Sequence, residues 1–197
     1  MMKKMYIILT HTGTALSRII KYYTKDEFSH ISIALDDELK EMYSFGRVNP
    51  YNPFWGGFVH EYINKGTFKR FKNTRANVYS LLVTDEQYER ARKVIAYFNE
   101  NKEKYRFNIR GLVFVSIHKR TKRKNSFYCA EFVKHILKSS GVTEVNELPE
   151  IIRPEDFKQM QGLKLEYQGL LRKYKKKKRL KLEEVHDMIQ GKKVSFV

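Results

Sequence analysis

The sequence predicts an α+β fold, an antiparallel sheet with helices packed on it. Three observations predict it. Ile31, Ile33 and Leu35 alternate with His30, Ser32 and Ala34, the period of a half-buried strand. The polar turn Asp36-Asp37-Glu38 follows, and residues 39–45 supply a return strand. A late helix opens at Cys129, turns Phe132, Val133, Ile136 and Leu137 inward, and ends at Gly141.

The other elements follow in order. Residues 5–10 are β-prone and lead into a turn at His11-Thr12-Gly13-Thr14. Residues 15–23 carry Leu16, Ile19, Ile20 and Tyr23 at helical spacing. Residues 49–57 hold two prolines and two glycines and read as a loop, which also contains Tyr51, Phe54 and the single Trp55. Residues 67–71 and 76–83 read as strands. Thr84 and Gln87 form a capping box, and the helix that follows runs to about Asn99 with Tyr88, Ala91, Val94, Ile95 and Phe98 on one face. The apolar stretch 109–117 fits helix or strand. Residues 118–125 are a basic loop, 154–160 suit a helical turn, and 163–174 suit a closing strand.

Composition narrows the class. An apolar content of 42% with 14% aromatics excludes a wholly disordered chain of 197 residues. One cysteine excludes an internal disulfide framework and a multi-cysteine zinc site. No apolar run approaches the ~20 residues of a spanning helix. Lys3 and Lys4 precede an apolar stretch that stops at Thr10-His11, with no small-residue cleavage site after it, so a cytoplasmic location is expected. The net charge is +17. Residues 172–197 carry ten Lys and Arg against three Asp and Glu, so the body remains basic without them. This tail, with its block Lys175-Lys176-Lys177-Lys178-Arg179, reads either as a solvated appendage or as a contact for a polyanion or an anionic membrane surface. The chain divides into a body at 1–171 and the basic tail at 172–197.

Cys129 is the most informative residue for chemistry. At the first turn of a helix the N–H groups are unpaired and the dipole is positive, which stabilises a thiolate nucleophile. The same position on an apolar face also suits an inert core cysteine. A catalytic thiol needs a base. His135 is six positions on, about 240° around the helix, and faces away. His30 lies on the polar face of a well-patterned strand, where a surface role is the alternative. Glu41 sits across the Asp36-Asp37-Glu38 turn, in reach as an orienter if the strand register permits. Trp55 in its aromatic loop either lines a cleft or packs on the core.

Three segments together resemble a known family: residues 29–35 (Ser-His-Ile-Ser-Ile-Ala-Leu), 41–47 (Glu-Met-Tyr-Ser-Phe-Gly-Arg) and 127–133 (Phe-Tyr-Cys-Ala-Glu-Phe-Val). They are similar to the circularly permuted branch of the NlpC-type papain-like cysteine hydrolases. That branch includes YiiX/YebB-like bacterial proteins and is related to lecithin retinol acyltransferase-like enzymes. In it the histidine strand precedes the cysteine helix, the order seen here. The resemblance covers roughly residues 5–174. It implies a permuted papain-like fold, Cys129 as nucleophile, His30 as base and Glu41 as the polar third member. The Cys129 N–H is implied as one oxyanion donor. Tyr128 or a residue near Thr12 is the candidate for the second, and Trp55 for substrate contact.

The expected activity is a cysteine hydrolase or acyltransferase acting on a small peptide or an acyl group, with no cofactor and no metal. His60-Glu61 is not followed by a histidine at zincin spacing. The alternative is a catalytically inactive basic protein that binds nucleic acid or an anionic surface, although no nucleic-acid motif accompanies the charge. Substrate and oligomeric state are not legible.

Overall fold

The computed structural model describes residues 1–13, 22, 25–49, 51, 56–108 and 125–174. In chain order the described strands are β1 (Met2–His11), β2 (His30–Ala34), β3 (Met42–Arg47), β4 (Gly56–Glu61), β5 (Arg75–Thr84), β6 (Arg106–Phe107), β7 (Ser126–Phe127) and β8 (Leu163–Leu170). The described α-helices are α1 (Gly66–Arg70), α2 (Asp85–Glu100) and α3 (Cys129–Ser140). Six strands form one sheet in the order β4-β3-β2-β1-β5-β8, with every neighbouring pair antiparallel. β6 and β7 form a separate two-residue parallel pair. The fold is therefore α+β with an antiparallel sheet.

β1 is central, and Met5 to Thr10 are all buried. Alternate side chains go to opposite faces. Met5, Ile7 and Leu9 join Ile31, Ile33, Phe45 and the helices α2 and α3 in the larger core. Tyr6 and Ile8 join Ala34, Met42 and Val78 in a smaller core closed by Phe68 of α1 and by Leu171. The period-two pattern of residues 31–35 thus chose its face correctly for Ile31, Ile33 and Leu35.

The helix signals act as expected. Thr84 Oγ1 accepts from Gln87 N–H at 3.1 Å while Gln87 Oε1 accepts from Thr84 N–H at 2.9 Å, closing the capping box of α2. α3 begins at Cys129 and stops at Gly141, whose φ of 86° is the left-handed cap. Residues 154–159 form a 3₁₀ turn, and β8 closes the sheet against β5.

Two readings are corrected. Residues 66–70 are helical rather than extended: Lys69 and Phe71 donate to Lys65 and Thr67 carbonyls at 3.3 and 2.9 Å. Only Phe68 there is buried, so one helical turn both satisfies the backbone locally and fills the smaller core. The glycines at the end of the expected loop instead open a strand, β4. A Cβ on Gly56 would lie 2.8 Å from both Gly46 O and the Phe107 ring, so glycine there permits close packing rather than a turn. The helix expected at 15–23 lies outside the described residues apart from Tyr22, and so do the segment 109–117, Trp55 and the tail from residue 175.

The larger core is held by a ring cluster. Phe45 contacts Phe132, Phe127 and Phe98 with centroids 5.2, 5.3 and 5.9 Å apart, and Phe98 meets Phe132 edge-on at 5.3 Å. This ties α2 and α3 to β3. Phe98→Ala should therefore cost about 3–5 kcal/mol, seen as a lower urea midpoint at unchanged slope.

Candidate active site

His30 is the first residue of β2 and stands opposite Thr10 of β1. The chain leading into it is fastened from behind. Ser29 N–H donates to Thr10 O at 3.1 Å, and Phe28 N–H donates to Glu155 Oε2 at 3.2 Å. Arg153 bridges Asp26 and Asp156 at 3.2 and 2.9 Å. These contacts fix where the imidazole starts, and the strand fixes where it points.

The partner of that imidazole is Glu61, the last residue of β4. His30 Nε2 lies 2.9 Å from Glu61 Oε1, and Ser32 Oγ donates to Glu61 Oε2 at 2.5 Å. Both carboxylate oxygens are thus engaged, one by the ring and one by a fully buried serine two residues along the same strand. β3 lies between β2 and β4, and its Gly46 leaves room for the pair: a Cβ there would be 3.3 Å from His30 Cε1 and 3.6 Å from Glu61 Oε1. The His30 and Glu61 side chains are only 19% and 12% exposed, so water screens the pair little.

Cys129, at the first turn of α3, is the other group acting on the ring. α3 packs on β2 and β3, which brings its N-terminus to His30. With Nε2 committed to Glu61, Nδ1 is the nitrogen left for the thiol. Burial works against a charge on His30, but the Glu61 carboxylate, hydrogen bonds with Cys129 and Glu61 and the charge of Cys129 outweigh it. The result is an imidazole raised to about 10, a cation at neutral pH.

The expected orienter, Glu41, is elsewhere. Its N–H donates to Asp36 Oδ2 at 2.6 Å and its carbonyl accepts from Leu35 N–H at 3.1 Å. That places it beside Leu35, at the far end of β2 from His30, about 17 Å along the strand at ~3.4 Å per residue. Its carboxylate acts instead on Tyr43 and Tyr88, two phenols raised first by burial and then by Glu41. Across the Asp36-Asp37-Glu38 turn, a residue's distance from the turn sets its partner, and Glu41 is too close to the turn to reach His30.

Tyr128 is also accounted for otherwise. Its hydroxyl donates to Ile152 O at 2.9 Å in the core, and burial, with the charges of Glu131 and Cys129, pushes the phenol well above its ordinary range. Its role is to anchor the start of α3, helped by Glu131 Oε2, which accepts from Tyr128 N–H at 3.2 Å. Thr12 follows β1 directly and is half-buried. Trp55 lies outside the described residues. His135 packs on Phe98 and Phe127, directed away from Cys129 as its spacing required.

Glu61 and Ser32 are thus the site residues that sequence reasoning missed. Ser32 stood in plain view on the polar face of the patterned strand. Glu61 ended a short stretch with too few apolar residues to reveal its alternation. Among the described residues no three His, Cys, Asp or Glu side chains gather as a metal site needs. No protein-family model matches the chain, and no curated protein matches it.

The titration of His30 tests this geometry. Its folded value lies above the unfolded one of about 6.5. The stability it contributes is therefore complete below pH ~6.5 and lost as pH rises through about 10. The His30 ring resonance in NMR should titrate near pH 10, and in Glu61→Gln it should titrate lower. The stability advantage of wild type over Glu61→Gln should shrink across the same interval. A ring that titrates alike in both chains would contradict the pairing.

Proposed function

We propose that this protein is a cysteine hydrolase or acyltransferase that works through Cys129, His30 and Glu61. The observation that carries the reading is the His30 imidazole held between a buried carboxylate and the thiol at a helix start. A structural cysteine needs no such partner, and a strand histidine on a sheet surface needs no buried glutamate. The order of elements, histidine strand before cysteine helix, supports the permuted papain-like arrangement within the α+β fold.

The reaction would run as follows. His30 holds the proton of Cys129, leaving a thiolate beside an imidazolium whose charge Glu61 balances. The thiolate sulfur attacks the carbonyl carbon of an amide, ester or thioester. The C=O electron pair moves onto oxygen, where the Cys129 N–H, one of the first-turn groups with no intrahelical acceptor, donates to it. Collapse expels the leaving group, which takes the proton from His30. Water or an acceptor molecule then gives a proton back to His30, attacks the acyl-enzyme and releases the thiolate. Glu61 acts as orienter, and Ser32 keeps its second oxygen from turning away.

Alkylation tests the pair without a known substrate. Iodoacetamide reacts with the thiolate, so wild type should be modified at Cys129, read by intact mass. His30→Ala should slow this at least about a hundredfold, in line with general-base contributions of ~10²–10⁴. Glu61→Gln should slow it less, and Glu41→Gln not at all. Equal rates in wild type and His30→Ala would reduce Cys129 to a core residue.

A further inference from the structure

Two stretches of the chain, far apart in sequence, carry lysine and arginine with no acidic residue among them. Residues 62–84 hold Lys65, Lys69, Arg70, Lys72 and Arg75, and residues 167–182 hold Arg172, Lys173 and six more Lys and Arg after them. The sheet brings the two stretches together. β8 pairs with β5 so that Leu170 stands beside Arg75, and the next residue, Leu171, donates its N–H to Thr74 O at 2.9 Å. Phe68 and Leu171 are both buried in the smaller core, on the face of the sheet away from α2 and α3. They form its lid. Lys65, Lys69 and Lys72 flank Phe68 in the chain, and Arg172 and Lys173 follow Leu171 directly. All five cations are exposed.

These charges are not used within the protein. Among the described residues none of the five forms an ion pair with a carboxylate. Lysines elsewhere do: Lys3 meets Glu89 at 2.9 Å, Lys4 meets Glu166 at 3.2 Å and Lys158 meets Glu27 at 3.2 Å. Unpaired like charges gathered around one small lid oppose folding through their repulsion. Their use lies outside the chain, with a partner of opposite sign.

Rings lie among the cations. Tyr62 is 37% exposed, with the Lys65 ammonium 4.9 Å from its ring centre. Tyr51 is 79% exposed, with the Arg70 guanidinium 4.1 Å from its ring centre. Cations for phosphates and open ring faces for bases are the two parts of a single-strand binding surface. A lipid surface calls for apolar anchors instead. The three most exposed of the large aliphatic side chains, Met1, Met2 and Leu82, are at the other end of the β1–β5 pair from Arg75.

We propose that this face binds single-stranded nucleic acid, with phosphates on Lys65, Lys69, Lys72, Arg172 and Lys173 and bases stacked on Tyr51 and Tyr62. Five more cations, Lys175-Lys176-Lys177-Lys178-Arg179, follow Tyr174 in the sequence. The surface does not depend on the chemistry at Cys129.

Fluorescence anisotropy of the full chain tests this, with a labelled single strand of about 20 nucleotides, longer than the ~4–16 of one single-strand site. Log K should fall linearly with log salt. The triple variant Lys69→Gln, Lys72→Gln, Arg172→Gln should lower that slope by about 2, at ~0.7 per phosphate contact, and weaken binding at least about tenfold at ~0.1 M salt. Lys93→Gln, Lys102→Gln, Lys138→Gln removes the same charge from exposed positions elsewhere and should leave the slope unchanged. Tyr51→Ala should weaken the single strand at least about fivefold and leave binding to a duplex of the same length as it is. Alkylation of Cys129 should proceed alike in all of these variants, which keeps the two sites separate. Equal losses in the two triple variants would reduce the effect to net charge and overturn the proposal. So would a Tyr51→Ala chain that binds the single strand like wild type, tighter binding to phosphatidylserine vesicles than to the strand, or no binding at all.

Discussion

Six consecutive residues of β1, from Met5 to Thr10, lie out of water, and their backbone groups must find partners inside the protein. Only strands on both sides can supply them. β5 pairs with β1 over its whole length, and β2 pairs with its last half. The rest of the fold is arranged around this demand. Because β2 runs antiparallel to β1, its first residue meets the end of β1, and that residue is His30. A backbone requirement in the centre of the sheet therefore places an ionisable ring at the sheet's end, against the start of α3.

The Glu61–His30 pair is an expensive thing to bury. Taking two charges from water costs several kcal/mol per ion, and mutual attraction recovers this only when the remaining hydrogen-bonding capacity is filled. Here it is filled: Ser32 occupies the second carboxylate oxygen and Cys129 acts on the other side of the ring. For packing alone, apolar residues of similar volume would serve as well or better.

Much of this was legible from the chain, for physical reasons that differ by element. β2 was legible because one face is apolar and the other is not, so period two survives in the sequence. α2 and α3 were legible because their ends carry capping chemistry, Thr84 with Gln87 and Gly141. β4 was not, because its two glycines serve close packing against β3 and Phe107, a tertiary demand that looks the same as a turn in sequence. α1 was not, because one buried phenylalanine in five residues has no period. At the site, Cys129 and His30 were legible from local setting and from family resemblance. Glu61 was hidden because its contact with His30 spans two strand neighbours, and register across two strands cannot be read from spacing. Glu41 was the natural choice for a single hairpin, and the turn geometry made by Asp36 denies it the reach.

Gly46 gives the arrangement a marker that comparison of related chains can use. Imidazole and carboxylate meet over the one position in β3 where no side chain intrudes. A chain that shares this topology, keeps the histidine and the glutamate, but carries a bulky residue between them has lost the space in which they touch. Its histidine and glutamate can then no longer pair as they do here. The small residue, which does no chemistry itself, decides whether imidazole and carboxylate can meet.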